Sequence, residues 1–180
     1  MYTLGFIGVG HLGSALIEGF LSGQVLAPAS ICAYDPSETV RTALAVKGVT
    51  VLGSEAEVVS ASKIVILAVR PSDVRGVMEK IRDSVSFNNV LVSVAAGITI
   101  STAKKFLGKE CKLVRAIPNV ASEYGKGVTA LAYEMPLTYQ ELQMVKDLFE
   151  SVGLLRVVEE KQWNDYIAAA SSASAYFYYM

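Results

Sequence analysis

The chain has 180 residues, 52% of them hydrophobic and 18% charged, with 16 basic against 17 acidic side chains and a formal net charge of -1. This is too apolar for a disordered chain and long enough for a substantial core. Near-neutral charge without a run of Lys or Arg leaves no field to hold a nucleic-acid backbone or an anionic membrane surface, so neither partner is expected.

Thr3 to Val9 is an apolar run ending in glycines that passes into His11 to Leu21, where Leu12, Ala15, Leu16, Gly19 and Phe20 recur at helical spacing. The pattern predicts strand, tight turn, helix. Ser30 to Tyr34 reads as a second strand, with a helix from Ser37 to Val46 after it. Thr50 to Leu52 and Glu55 to Ser60 follow as a short strand and a short helix. Lys63 to Val69 is almost wholly apolar, as suits a central parallel strand covered on both faces. A helix over Ser72 to Ile81, a strand over Asn89 to Val94, a helix over Thr99 to Leu107 and strands over Lys112 to Ile117 and Val128 to Tyr133 continue the series. Thr138 and Glu141 form a capping box before a helix through Phe149, and Leu154 to Val158 adds an eighth strand. Repeated β-α-β units specify an α/β, Rossmann-like, mostly parallel sheet with helices on both faces.

Trp163 to Ala170 is helical by propensity, and Tyr176-Phe177-Tyr178-Tyr179-Met180 follows with no helix-stopping signal. We expect a dinucleotide-binding domain over 1–161 and, over 162–180, the first helix of a truncated or shortened helical domain. Trp163, Tyr166, Tyr176, Phe177 and Tyr179 need a covering surface, either the first domain or another subunit. Cys32 and Cys111, both read as lying in strands, are expected to be reduced packing residues of a cytosolic protein rather than a disulfide framework. The N-terminal residues lack a secretory pattern, and Ala168 to Met180, at 13 residues, is too short to span a bilayer. A soluble, cytoplasmic protein is expected.

Gly8-Val9-Gly10-His11-Leu12-Gly13 stands after a strand and opens an amphipathic helix, the context in which this spacing carries meaning. Gly8 permits the tight turn, Gly10 lets a pyrophosphate approach the backbone, and Gly13 lets the helix pack close to the sheet, while the helix's free amides face the phosphates. Asp35, ending the second strand, has two readings. It accepts hydrogen bonds from the adenine ribose, favouring NAD over NADP, or it caps the second helix with Pro36 at the first helical position. His11, the only histidine, is read as touching phosphate or solvent; with no second histidine or clustered thiol, no metal site is expected. Two further strand ends point to the same crevice. Ala68-Val69-Arg70-Pro71 is placed along the adenosine and nicotinamide path, and Ala95, Ala96 and Gly97, after Ser93, offer backbone contacts. Asn119, after Ile117-Pro118, is the best polar candidate near a nicotinamide, with a turn role as the alternative. No nucleophilic triad or triphosphate loop can be assembled, which leaves hydride transfer, a chemistry the cofactor carries.

These blocks, together with Arg115-Ala116-Ile117-Pro118-Asn119 and Gly125-Lys126-Gly127-Val128-Thr129-Ala130, resemble pyrroline-5-carboxylate reductase. The resemblance implies reduction of the cyclic imine of L-1-pyrroline-5-carboxylate to L-proline with hydride from NADPH or NADH, the nicotinamide lying near Ser93, Ala95, Ala96 and Asn119. It also implies a homo-oligomer in the full-length form. The chain departs from the family pattern at His11, where asparagine is common, and at Ala170 to Tyr176, which lacks the family's two glycines and proline. The family's proton-donor loop lies beyond residue 180, so no catalytic residue is assigned. A non-catalytic, regulatory dinucleotide-binding relative is the alternative.

Overall fold

The apolar runs become strands where helices cover both of their faces. In the computed structural model, which describes residues 1–134 and 136–167, eight strands form one sheet. They are β1 (Tyr2–Ile7), β2 (Ile31–Tyr34), β3 (Thr50–Val51), β4 (Ser62–Leu67), β5 (Val90–Ser93), β6 (Lys112–Ile117), β7 (Gly127–Tyr133) and β8 (Gly153–Val157). Their order is β3-β2-β1-β4-β5-β6-β7-β8. The first six run parallel, β7 is antiparallel to β6, and β8 is parallel to β7. The expected Rossmann-like, mostly parallel sheet is therefore present, with a reversal at β7 that the sequence reading did not specify. As foreseen for an apolar run, β4 is central, and Ile64, Val65, Ile66 and Leu67 are at most 2% exposed.

Helices α1 (His11–Ser22), α2 (Glu38–Val46) and α6 (Tyr139–Glu150) cover one face, while α3 (Glu55–Ala61), α4 (Val74–Ile81) and α5 (Ile100–Leu107) cover the other. On the first face Phe6 of β1, Phe20 of α1 and Phe149 of α6 form a continuous aromatic contact, with ring centroids 6.3 and 6.1 Å apart. Each of these rings is fully buried, a contribution of roughly 1.5–3 kcal/mol apiece. The second face holds Met78, Ile81 and Leu107 against Leu67, Leu91 and Leu113. No helix among the described residues is long and apolar enough to cross a membrane.

A third, smaller cluster joins Trp163 of α7 (Trp163–Tyr166) to Ile117, Ala130 and Ala132. Trp163 is 3% exposed. Within the chain, the sheet residues Ile117, Ala130 and Ala132 cover it. The expected roles of Tyr176, Phe177 and Tyr179, and the altered stretch Ala170 to Tyr176, lie outside the described residues.

Both cysteines are free and buried. Cys32 lies in β2 as expected, but Cys111 precedes β6 by one residue rather than lying within it. Burial raises the Cys32 thiol above its ordinary value and pushes Cys111 up to about 11.

The strand order fixes where a ligand site can form. From β1 the chain moves to β2 and β3, then returns past β1 to β4. The connections leaving the carboxyl ends of β1 and β4 therefore diverge, and an open parallel sheet has its crevice at such a point.

Candidate functional site

The glycine turn closes β1 at that divergence, and its three glycines serve three different needs. Gly8 has φ +79, and a Cβ there would stand 2.6 Å from Val69 Cγ1 and 3.1 Å from the Ala68 carbonyl oxygen. Both the backbone conformation and the space exclude a side chain. At Gly13 a Cβ would lie 3.0 Å from the Gly8 carbonyl oxygen and 3.4 Å from Ala68 Cβ, so α1 packs tightly on the turn. Gly10 is different: its φ of -71 is ordinary, and a Cβ would meet nothing within 4 Å among the described residues. Nothing in the protein itself requires glycine there.

Gly10 is also the N-cap of α1. It makes no side-chain cap, and no acidic residue stands in the first turn. Among the described residues the first amides of this 12-residue helix thus have no side-chain cap, and they face the crevice.

Asp35 sits beneath the turn, 9% exposed. Its Oδ2 accepts a hydrogen bond from the Val9 amide at 2.7 Å and its Oδ1 one from the Ser37 amide at 2.8 Å, tying the ends of β1 and β2 together. The capping reading of Asp35 is corrected. Ser37 is the N-cap of α2, its hydroxyl accepting from the Val40 amide, and Glu38 is the first helical residue. Pro36 therefore precedes the cap instead of opening the helix. Arg41 adds Nη1 hydrogen bonds to the carbonyls of Asp35 and Pro36 at 2.8 and 2.9 Å, which fixes the loop after β2.

A cleft of about 520 Å³ opens over the carboxyl ends of four neighbouring strands. From β1 it is lined by Gly8, Gly10, His11 and Leu12, from β2 by Asp35, from β4 by Ala68, Val69, Arg70 and Pro71, and from β5 by Ala95 and Ala96. A recess of about 410 Å³ shares Gly8, Pro36, Val69 and Asp73 with it and reaches Tyr34, Gly76 and Lys80. Arg70, 83% exposed, pairs with Asp73 at 3.0 Å, and the hydrogen bond from Arg70 holds the Asp73 carboxyl below its ordinary value.

Four expected residues do not line the cleft. Gly13 lies beneath it. Ser93 is buried, its hydroxyl accepting weakly from the Ala95 amide at 3.4 Å. Gly97 is exposed at φ +78 in the turn beyond Ala96. Asn119 precedes a short turn of 3-10 helix that its side chain does not cap, and it accepts from the Val128 amide of β7 at 3.4 Å. Conversely, Pro36, Asp73 and Val94 line the cleft without having been singled out. Pro36 and Val94 adjoin expected residues and were legible by adjacency, whereas Asp73 depends on the helical turn Pro71–Asp73, which the sequence reading merged into α4.

Switch-point cleft, glycine turn and uncapped helix together define a Rossmann-like dinucleotide-binding domain. A protein-family model described as "NADP oxidoreductase coenzyme F420-dependent" matches residues 3–97. The pyrroline-5-carboxylate reductase of pea (Pisum sativum) is 30% identical over 177 residues, covering 98% of this chain and 64% of the pea protein. That of Escherichia coli (strain K12) is 31% identical over 177 residues, covering 97% and 65%. The crystal structure of Plasmodium falciparum pyrroline carboxylate reductase with NADP bound matches with a TM-score of 0.90 at 25% identity, over 98% of this chain and 65% of that one. The chain belongs to the family of that protein-family model, which takes in residues 3–97, and is similar to the pyrroline-5-carboxylate reductases through a dinucleotide-binding domain. It spans just under two thirds of the length of these relatives.

Proposed function

We propose that this chain binds NADPH or NADH in the cleft and serves the reduction of the cyclic imine of L-1-pyrroline-5-carboxylate to L-proline. One observation carries the binding step. Gly10 has no side chain although its own protein leaves open space for one, and it stands at the uncapped start of α1. An anionic pyrophosphate uses both features: it needs the open approach, and it accepts from amides that no side chain serves.

The remaining roles follow from position. The amides of α1 hold the pyrophosphate, with His11 beside it. Asp35 already accepts two amides, but a carboxylate has about four acceptor sites, so it retains capacity for a ribose hydroxyl. Val69, Ala95 and Ala96 give a ring a small, apolar wall that excludes water. When bound, the nicotinamide supplies the hydride. The chain's part is to orient and to shield, since a protonated imine activates its own carbon. The named activity of the relatives supports this substrate.

The test is titration of NADPH and of NADH into the chain and its Gly10→Val variant, followed by steady-state assay with L-1-pyrroline-5-carboxylate and identification of L-proline. Valine at 10 should leave folding intact and weaken dinucleotide binding at least ~10-fold, about 1.4 kcal/mol. Equal affinity in the two proteins would remove the site. Dinucleotide binding without imine turnover would keep the site and remove the reductase reading for this chain.

A further inference from the structure

β6 reads Lys-Leu-Val-Arg-Ala-Ile, and its arginine lies in the middle of an otherwise apolar interior. Arg115 is 3% exposed, and a buried guanidinium must be paired to be tolerated. Its Nη1 donates to Glu160 Oε1 at 2.7 Å, and its Cζ lies 4.2 Å from the ring centroid of Trp163. Both partners belong to the segment that leaves the sheet after β8. The same Glu160 Oε1 also accepts from the amide of Ile100 at 2.9 Å, the first residue of α5. Ile100 follows the loop that begins at the cleft residues Ala95 and Ala96. One carboxylate oxygen therefore joins β6, the cleft-side loop after β5, and the turn before α7.

We propose that Arg115 is a positioning residue that locks α7 to the β5 side of the cleft through Glu160 and Trp163. The lock is built to open as a unit. The Trp163 cluster is small beside the two main cores, and Arg115 Nε and Trp163 Nε1 are buried without a hydrogen-bond partner among the described residues. Unsatisfied buried donors weaken the seated state relative to the open one, in which water serves them. The cation–π contact, strongest when water is excluded, holds only while Trp163 stays seated. This inference does not depend on what the cleft binds.

Trp163 is the only tryptophan, so it reports its own seat. In the parent chain its emission should be that of a buried indole, poorly quenched by acrylamide. Glu160→Gln and Arg115→Met should each shift it to longer wavelength and raise the quenching constant roughly threefold or more, while far-UV circular dichroism stays that of a folded sheet protein. Emission and quenching unchanged in both folded variants would overturn the proposal. A second measurement needs no variant. Hydrogen exchange of the parent should show the Ile100 amide and the 160–167 amides opening together with one free energy. Independent exchange of the two segments would overturn it equally.

Discussion

Helices α1 and α6 are both 12 residues long, lie on the same face of the sheet and begin in opposite ways. At α6 the chain serves its own amides: Thr138 accepts from the Glu141 amide, Glu141 returns the bond to the Thr138 amide, and Lys112 closes on Glu141 at 2.6 Å. At α1 the N-cap is glycine, it makes no side-chain cap, and no acidic residue stands in the first turn; the nearest carboxylate, Asp35, accepts from the Val9 amide that precedes the cap. A chain able to write a complete capping box in one place and leaving the other bare has reserved the bare end. The difference teaches that a missing local interaction marks a site as clearly as a present one.

The comparison can be broken by substitution, and the largest effect is expected beneath α1. Gly8→Val forces a β-branched residue to φ +79 and against Val69 and Ala68, which should cost about 2–4 kcal/mol of stability and lower the unfolding midpoint accordingly. Gly10→Val, two residues on, should lower that midpoint far less, by the roughly 1 kcal/mol or under of a poorer N-cap, while weakening dinucleotide binding at least ~10-fold. If both variants lost stability alike, the distinction between a glycine the fold needs and one the ligand needs would collapse. At the other helix, Thr138→Ala removes the cap and should cost about 1 kcal/mol in denaturant unfolding, with dinucleotide affinity unaltered.

The smallest effect is one of pH. Burial would raise the Glu141 carboxyl, but its hydrogen bonds with Lys112 and Thr138 prevail and hold it below the ordinary carboxylate range. A carboxyl lower in the folded than in the unfolded state stabilises fully above its unfolded value, and that stability is lost as pH falls through the folded one. The stability difference between the parent and Glu141→Gln should therefore be constant at neutral pH and shrink below about pH 4.5. A difference that persisted unchanged into strong acid would show the charge of Glu141 to be irrelevant.

The sequence displayed the near-sequence parts of this architecture well. Gly8 to Gly13 after an apolar strand, the Lys63 to Val69 run and the Thr138–Glu141 box each state their roles within a few residues. The direction of β7 had a readable signal that the sequence reading did not use: Pro118 to Lys126 is nine residues, shorter than the dozen or more that a parallel crossover needs. The capping alternative for Asp35 rested on Pro36 next to it, whereas one of its two amide partners, Val9, is 26 residues away and has no local signal. The same distance hid the role of Arg115. A lone charge in an apolar strand announces a buried pair, but nothing in β6 points to Glu160, 45 residues later.

The two buried cysteines carry one more consequence. Burial pushes the Cys111 thiol up to about 11, so at neutral pH it is held in the thiol form, and only the thiolate attacks a disulfide or an electrophile at useful speed. Cys32 is shielded in the same sense. Burial and a raised pKa thus both slow oxidation or alkylation of either side chain while the protein stays folded.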